Sequence, residues 1–504
     1  MWVRMRWQDI RVVLHFTGIF VVGLGIAMLI PLATALVYRE WSAALDYFAG
    51  MGVAFTVGMV MISSMIKRPR VSHVHAMAIT AFAWMVAACV AAVPLSLSGN
   101  YVTYLDAVFD AISGFTVSGL TVVVDLDHLA LSHNMWRHLT QFLGGQGIVV
   151  TALSMAFALK GGAFSLYMAE GRDERILPNV IHTARFIWIV TLTYVVTGTL
   201  AIFAVLMYLG MPIDRGLLHS FWIAVAAFDT GGFAPQRMNL MYYHNYLVEV
   251  VALLLMMAGS INFGLHATVW RGNRVEIRRN LETRVLASVS ATMIALVAMG
   301  MAYSAWTGGA LGIFRKGVFQ VVAGQSAGHQ TVYPSQFMDD FGGIGILAII
   351  IGMAVGGSMS STGGGFKALR VGVMWKSLVL SIKKSLAPPT AAIMVRYRHL
   401  GERILTSEVT STTAVVLTLY LLTYAAGAII GMAYGYSPAQ ATFESVSATA
   451  NSGLSIGVTS ASMPTGLKLV YMFQMWAGRL EFIAVLVLGA QIVLALKPRR
   501  RRAS

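Results

Sequence analysis

Apolar runs of about 20 residues, the length a helix needs to cross a bilayer, recur from one end of the chain to the other. They cover residues 15–38, 43–66, 73–97, 136–159, 183–209, 243–270, 283–306, 341–376, 408–434 and 467–496. Short polar clusters separate them, and ten crossings are predicted. The first run is longer than a signal peptide and lacks a small-residue cleavage site, so it is read as retained.

Between the long runs lie four shorter, semi-apolar stretches of one design. They are Phe109–Gly119, Trp222–Gly232, Phe319–Gly328 and Phe443–Gly453, each opening on an aromatic residue and closing on glycine. About ten residues of helix reach only about 15 Å, too short to span. Each stretch must therefore enter the membrane and return on the same face. Such backbone is tolerated at membrane depth only where it is buried in protein or lines a wet cavity. Four of them point to one shared axis. The chain reads as an all-α polytopic membrane protein with four helix–re-entrant loop–helix repeats around a pseudo-fourfold axis. An additional transmembrane helix pair precedes them. The expected units are 1–70 for the pair, 71–170, 171–280, 281–404 with a broken helix, and 405–504.

A short helix descending into the membrane aims its C-terminal carbonyls, and their partial negative charge, at the membrane centre. Four such ends favour a cation. The residues that follow can turn main-chain oxygens inward, and glycine permits the dihedrals this needs. Carbonyl rings that replace a hydration shell are how potassium filters work. The candidate ion-coordinating residues are Thr116, Val117, Ser118 and Gly119; Asp229, Thr230, Gly231 and Gly232; Gln325, Ser326, Ala327 and Gly328; and Ala450, Asn451, Ser452 and Gly453. Helix packing is the competing use of membrane glycines. The recurrence of one context four times favours the pore.

Composition agrees with a membrane protein: 57% of the 504 residues are hydrophobic and 11% charged, against about 25% charged in soluble domains. The formal charge of +15 could point to nucleic acid, but its placement argues for topology. With the N-terminus in the cytoplasm, 28 of the 36 Lys and Arg fall in the cytoplasmic segments 4–11, 67–70, 160–185, 271–284, 367–403 and 497–502. That bias sets orientation. The basic run at 499–502 is read as a stop anchor rather than a lipid-binding site. The single cysteine, Cys89, excludes an intramolecular disulfide and a cysteine metal cluster. A membrane-embedded enzyme is disfavoured, since no His-Glu-x-x-His occurs and polar residues gather in the short stretches.

Residues 356–367 interrupt a crossing with five glycines and four Ser or Thr in twelve positions. Each Gly costs about 1 kcal/mol relative to Ala in a helix, so an unwound segment is expected below the filter. Gly356, Gly357, Ser361, Thr362, Gly363, Gly364, Gly365 and Lys367 are its candidate gating residues, a close-packed seam being the alternative. It is not a phosphate-binding loop, because Phe366 separates Gly365 from Lys367. Arg479 lies inside the last apolar run, where an unpartnered Arg costs about 3 kcal/mol. It either faces the cavity below the filter or clamps carbonyl ends of neighbouring helices. In the first case, at about 6 Å, it opposes a passing cation by roughly 3 kcal/mol at an effective dielectric near 20. Glu481 and Glu249 are assigned to helix pairing. Asp229 either concentrates cations at the mouth or holds a helix end. His329 is read as a packing or mouth residue rather than a proton sensor.

These motifs resemble the Trk/Ktr/HKT superfamily of potassium transporters, and most the TrkH branch. The resemblance rests on Thr116–Thr121, Trp136–Gly147, Gly356–Lys367 and Gly478-Arg-Leu-Glu481, in order, with the extra helix pair in front. It implies that Gly119, Gly232, Gly328 and Gly453 are the filter glycines, that four glycines go with K+ as transported ion, and that 356–367 is an intramembrane gate. It also implies a homodimer in membrane lipid of the bacterial cytoplasmic membrane, with cytosolic nucleotide-binding regulatory subunits. Loops 160–185 and 271–284 are candidate docking surfaces. A sodium-permeable or Na+/H+-coupled symporter of the same superfamily is the alternative. The third loop departs from the family by one missing residue before Gly328 and by His329 after it.

Overall fold

The structure, a computed structural model, describes residues 5–64, 72–147, 180–304, 309–326, 328–388, 391 and 393–496. Ala327, the basic segments 67–70 and 497–502, most of loop 160–185 and the second half of the run at 136–159 lie outside the described residues. Among those described, seven helices are long and apolar enough to cross a membrane, and two bent pairs add two more. The protein is a predominantly helical, multi-pass membrane protein.

The N-terminal pair is α1 (Trp7–Ala27), continued by α2 (Leu29–Val37), and α3 (Trp41–Ser63). Small residues seat α1 on α3. A side chain at Gly18 or Gly58 would meet the other helix's backbone, a close approach typical of membrane helices. The loop between them carries Glu40, whose carboxylate accepts from Leu131 N and Ser132 N at 2.8 and 3.0 Å. Those two amides open α6 (Leu131–Gln146), where no intrahelical partner exists. The pair thus caps a helix of the next unit.

Four helix–short helix–helix units follow. The first runs α4 (His73–Leu97), short α5 (Tyr104–Phe115) and α6. The second runs α7 (Val180–Tyr208), short α8 (Ile213–Phe228), then α9 (Tyr246–Gly259) and α10 (Phe263–Trp270). The third has α11 (Leu281–Tyr303), short α12 (Phe319–Gln325), α13 (Phe337–Val355) and α14 (Ala368–Leu386). After a hairpin, β1 (Arg396–Arg398) with β2 (Glu402–Ile404), come α15 (Ser407–Ala433), short α16 (Pro438–Ala450), α17 (Thr465–Arg479) and α18 (Ile483–Leu496). Thr103 and Ser437 cap α5 and α16 through their side-chain oxygens, with Asp106 and Gln440 returning the bond.

Two crossings read as continuous from hydropathy are not. The helix pair α9 and α10 bends by 96°, and the pair α17 and α18 by 114°. Both breaks follow a glycine at the foot of a short helix. A side chain on Gly259 would fall on the carbonyl of Phe228, and one on Gly478 on that of Thr449. Gly144, next to the end of α6, meets Phe115 in the same way. The short helices rest their last carbonyls on these bare backbone positions, and the supporting helices turn just beyond them.

Candidate functional site

The four short helices converge. Gly119, Gly232, Gly328 and Gly453 all line one open funnel of about 710 Å³, and all have positive φ, at 80°, 71°, 63° and 83°. That conformation is available to glycine without a Cβ clash. A side chain on Gly119 would collide with the carbonyl oxygen of Gly231, one on Gly453 with that of Ser118, and one on Gly328 with that of Ser452. Each contact therefore links a glycine to the residue before the next glycine: loop three to four, four to one, one to two. The contacts run in one sense from loop to loop, and each is made with a main-chain oxygen.

Loops one, two and four share a backbone. Val117, Thr230 and Asn451 are left-handed, at φ 52°, 56° and 52°. Ser118, Gly231 and Ser452 donate their amides to the carbonyls five residues earlier, Ser113, Ala226 and Ser447. In loop three Ser326 instead adopts φ −135°, and Gly328 itself donates to Ala323. The missing residue thus falls before Gly328, and an extra one after it restores the spacing. In three of the short helices the side chain just after Phe109, Phe319 or Phe443 shows this by reaching eleven residues forward. Asp110 accepts from Thr121 Oγ1 at 2.5 Å, Gln320 Nε2 donates to Thr331 Oγ1 at 2.9 Å, and Glu444 accepts from Ser455 Oγ at 2.5 Å. Glu444 also accepts from Ile456 N, Val458 N and Thr459 Oγ1. No local spacing rule announces these staples, although the repeated position after the aromatic residue is visible in the sequence.

Side chains cross-link the loops. Gln141 Nε2 donates to Gly231 O at 2.6 Å, Asn451 Nδ2 to Ser118 Oγ at 2.8 Å, and Ser452 Oγ to Gly324 O at 2.8 Å. At the funnel wall Arg137 donates to Asp110 at 2.8 Å and lies over the Phe233 ring. Asp229 is fully buried, and its Oδ1 accepts from Gln146 Nε2 at 2.9 Å. It faces the end of α6 and is not among the residues that line the funnel. His329 is likewise buried, its Nδ1 3.0 Å from Asn239 Oδ1.

On the far side of the short helices lies segment 356–367, between α13 and α14. Positive φ at Gly356, Ser360, Gly365 and Lys367 keeps it non-helical. It is sewn to the α9–α10 break: Ser358 N donates to Ser260 O, Thr362 N to Gly259 O, and Phe263 N to Ser360 O. Thr362 Oγ1 reaches Phe228 O and Gly259 O at 3.0 and 2.8 Å. Gly364 sits against the last carbonyl of α16, and Lys367 folds back onto Gly363 O. The segment therefore crosses directly under the ends of two short helices. Gly357 and Ser361 meet across its turn.

Arg479 donates from one guanidinium nitrogen to Thr362 O and from the other to Gly144 O, both at 2.8 Å. It does not pair with Glu481, which binds Arg370. The carbonyl contacts of the clamp alternative are present, and they place the cation beneath the converging helix ends. Glu249 pairs with Arg315 at 2.5 and 2.8 Å.

A family model described as a cation transport protein, TrkH, matches residues 48–494. The chain is 30% identical to an uncharacterised cation transporter of Methanocaldococcus jannaschii, over 97% of each chain. It is 26% identical to the Trk system potassium uptake protein TrkH of Salmonella typhimurium, over 95% of this chain and 98% of that one. Its fold is similar to the crystal structure of the potassium transporter TrkH from Vibrio parahaemolyticus. The TM-score is 0.80 at 20% identity, covering 95% of this chain and 98% of that chain.

Proposed function

The chain belongs to the TrkH family of cation transport proteins, a transporter and not an enzyme, and from that premise we propose that it is the ion-translocating subunit of a potassium uptake system. The observation that carries the reading is that Gly119, Gly232, Gly328 and Gly453 all line one funnel, with the loops packed third to fourth to first to second. Ions enter from the funnel, shed water against the main-chain oxygens beside these glycines, and pass toward the helix ends. The relatives named as potassium uptake proteins support potassium as the ion.

Segment 356–367 is the gate in this reading. Held under the ends of α8 and α16, it obstructs the path and must leave its seat for an ion to pass. Arg479 adds a positive barrier at the same level while tying the gate to the end of α6. The charge bias of the loops puts the N-terminus and the C-terminus in the cytoplasm and the funnel outside, in the bacterial inner membrane. The protein works as a homodimer in lipid, with cytosolic nucleotide-binding regulatory subunits. The four repeat units begin near residues 71, 171, 281 and 405.

The altered backbone of the third loop favours a second reading, in which sodium also permeates. Uptake of potassium, rubidium and sodium by transport-deficient cells, wild type against Gly119→Ser, tests both. A preference for potassium that Gly119→Ser weakens is expected. Ion preferences unmoved by that substitution would sink the proposed filter, and sodium uptake equal to potassium in the wild type would favour the second reading.

A further inference from the structure

The gate segment is also held by a carboxylate that belongs to neither the filter nor the barrier. Glu282 stands in the first turn of α11, where Asn280 Oδ1 accepts its backbone amide at 2.9 Å. Its side chain is buried and Oε1 accepts from Met359 N at 2.5 Å. Met359 lies between Ser358 and Ser360, two of the three residues whose backbone is sewn to the α9–α10 break. The carboxylate thus holds the middle residue of the best-anchored stretch of the gate. Its other oxygen faces the β1–β2 hairpin, with Oε2 3.8 Å from His399 Nδ1.

The hairpin itself is fastened to the ground from which α11 starts. Arg398 Nε donates to the buried Glu276 at 2.9 Å, and His399 Nδ1 lies 3.3 Å from Asn280 Oδ1. Tyr397, Val395 and Leu405 form a small core with Val373 of α14, and Leu281 packs against it. A displacement of the hairpin therefore bears on Leu281 and Glu282 together. A buried carboxylate tolerates little movement, because each lost partner leaves charge without compensation.

We propose that Glu282 is a positioning residue that couples the β1–β2 hairpin to the gate, so that a force on the hairpin frees Met359 and unseats residues 358–360. The inference rests on the gate reading of 356–367. It assigns the hairpin, on the cytoplasmic face of the proposed topology, as the lever through which a signal reaches the ion path.

Rubidium flux into proteoliposomes holding the full-length protein tests it, with melting temperature recorded for each variant. His399→Ala leaves the Glu282–Met359 bond intact but removes the hairpin's contact, and is expected to raise basal flux by about threefold. Arg398→Gln, a half-buried position, frees the same hairpin by another route and is expected to do likewise. Glu282→Gln keeps an oxygen for the Met359 amide. Combined with His399→Ala it is expected to give the flux of one single variant, because both changes cut one link. In a Cys89→Ser background, alkylation of Ser361→Cys is expected to quicken when His399 is replaced, at unchanged melting temperature.

Wild-type flux in both hairpin variants, or strictly multiplicative effects in the double variant, would overturn the coupling. Deletion of Gly363–Gly365 separates this failure from that of the gate. Flux that rises on deletion but ignores the hairpin rejects the coupling alone, whereas flux indifferent to the deletion rejects the gate and the coupling with it.

Discussion

The proposed filter loops and the proposed gate segment are both irregular, glycine-rich backbone, yet they differ in what closes them. Each filter loop is tied to its own short helix, through amide bonds five residues back and, in three loops, a staple eleven residues forward. The gate segment is tied to distant parts of the chain: to Ser260 and Gly259 of the second unit, through Thr362 to Arg479 of the fourth, and through Met359 to Glu282 at the start of its own. Short-range closure costs little entropy to maintain and resists opening. Long-range ties are lost together when one unit shifts against another. Under the proposed function, the contrast means that the ion is chosen by backbone tied to its own short helix, and passage is controlled by backbone tied across units.

The contrast can be broken most directly at Gly119. A Ser there meets Gly231 O and must adopt a left-handed backbone, which costs about 1–2 kcal/mol before any clash is counted. Potassium-over-sodium preference should fall by about tenfold or more, read from competitive uptake; an unchanged ratio would remove Gly119 from the filter. Next comes Glu444→Ala. It deprives two hydroxyls and two amides of their common acceptor, at about 1–3 kcal/mol for each buried group left unmet. Loss of selectivity is expected, with Glu444→Gln retaining part of it, and a selective Ala variant would show that the staple does not position the filter.

On the other side of the comparison, Arg479→Ala removes both a barrier and a tie, and flux should rise severalfold, since roughly 3 kcal/mol of opposing charge is relieved in part. Equal or lower flux from well-folded protein would discredit the barrier. The smallest effect is expected at Gln320→Leu, which cuts one neutral staple in the loop whose backbone already differs. A loss of about 1 kcal/mol should move rubidium-to-potassium ratios slightly and leave flux unchanged. A change as large as that of Glu444→Ala would mean that the third loop is as strictly held as the others.

The sequence made the membrane helices and the four short segments legible, because length and apolarity are summed quantities and the aromatic-to-glycine spacing is a local one. The bends at Gly259 and Gly478 were not, since hydropathy carries no information about backbone direction. Asn262, which caps α10 through its side chain to Gly264 N at 2.6 Å, was the available signal for the first. Phe482 and Glu481, with positive φ, give the second no such signal, as neither residue type marks a turn. Asp229 could be read two ways because its direction depends on Gln146, 83 residues away. The tie from Glu282 to Met359 spans 77 residues and leaves no trace in spacing. What was legible is what one helix or one loop decides alone.

The head-to-tail contacts of Gly328, Gly453 and Gly119 with the carbonyl before the next glycine make the loops share load in series, third to fourth to first to second, like the stones of an arch. Damage to the first or the fourth loop then unloads the two beside it. Second-site substitutions that restore a crippled filter should therefore gather in adjacent loops. For Gly119 those are the second and fourth, where Gly231 and Gly453 meet it.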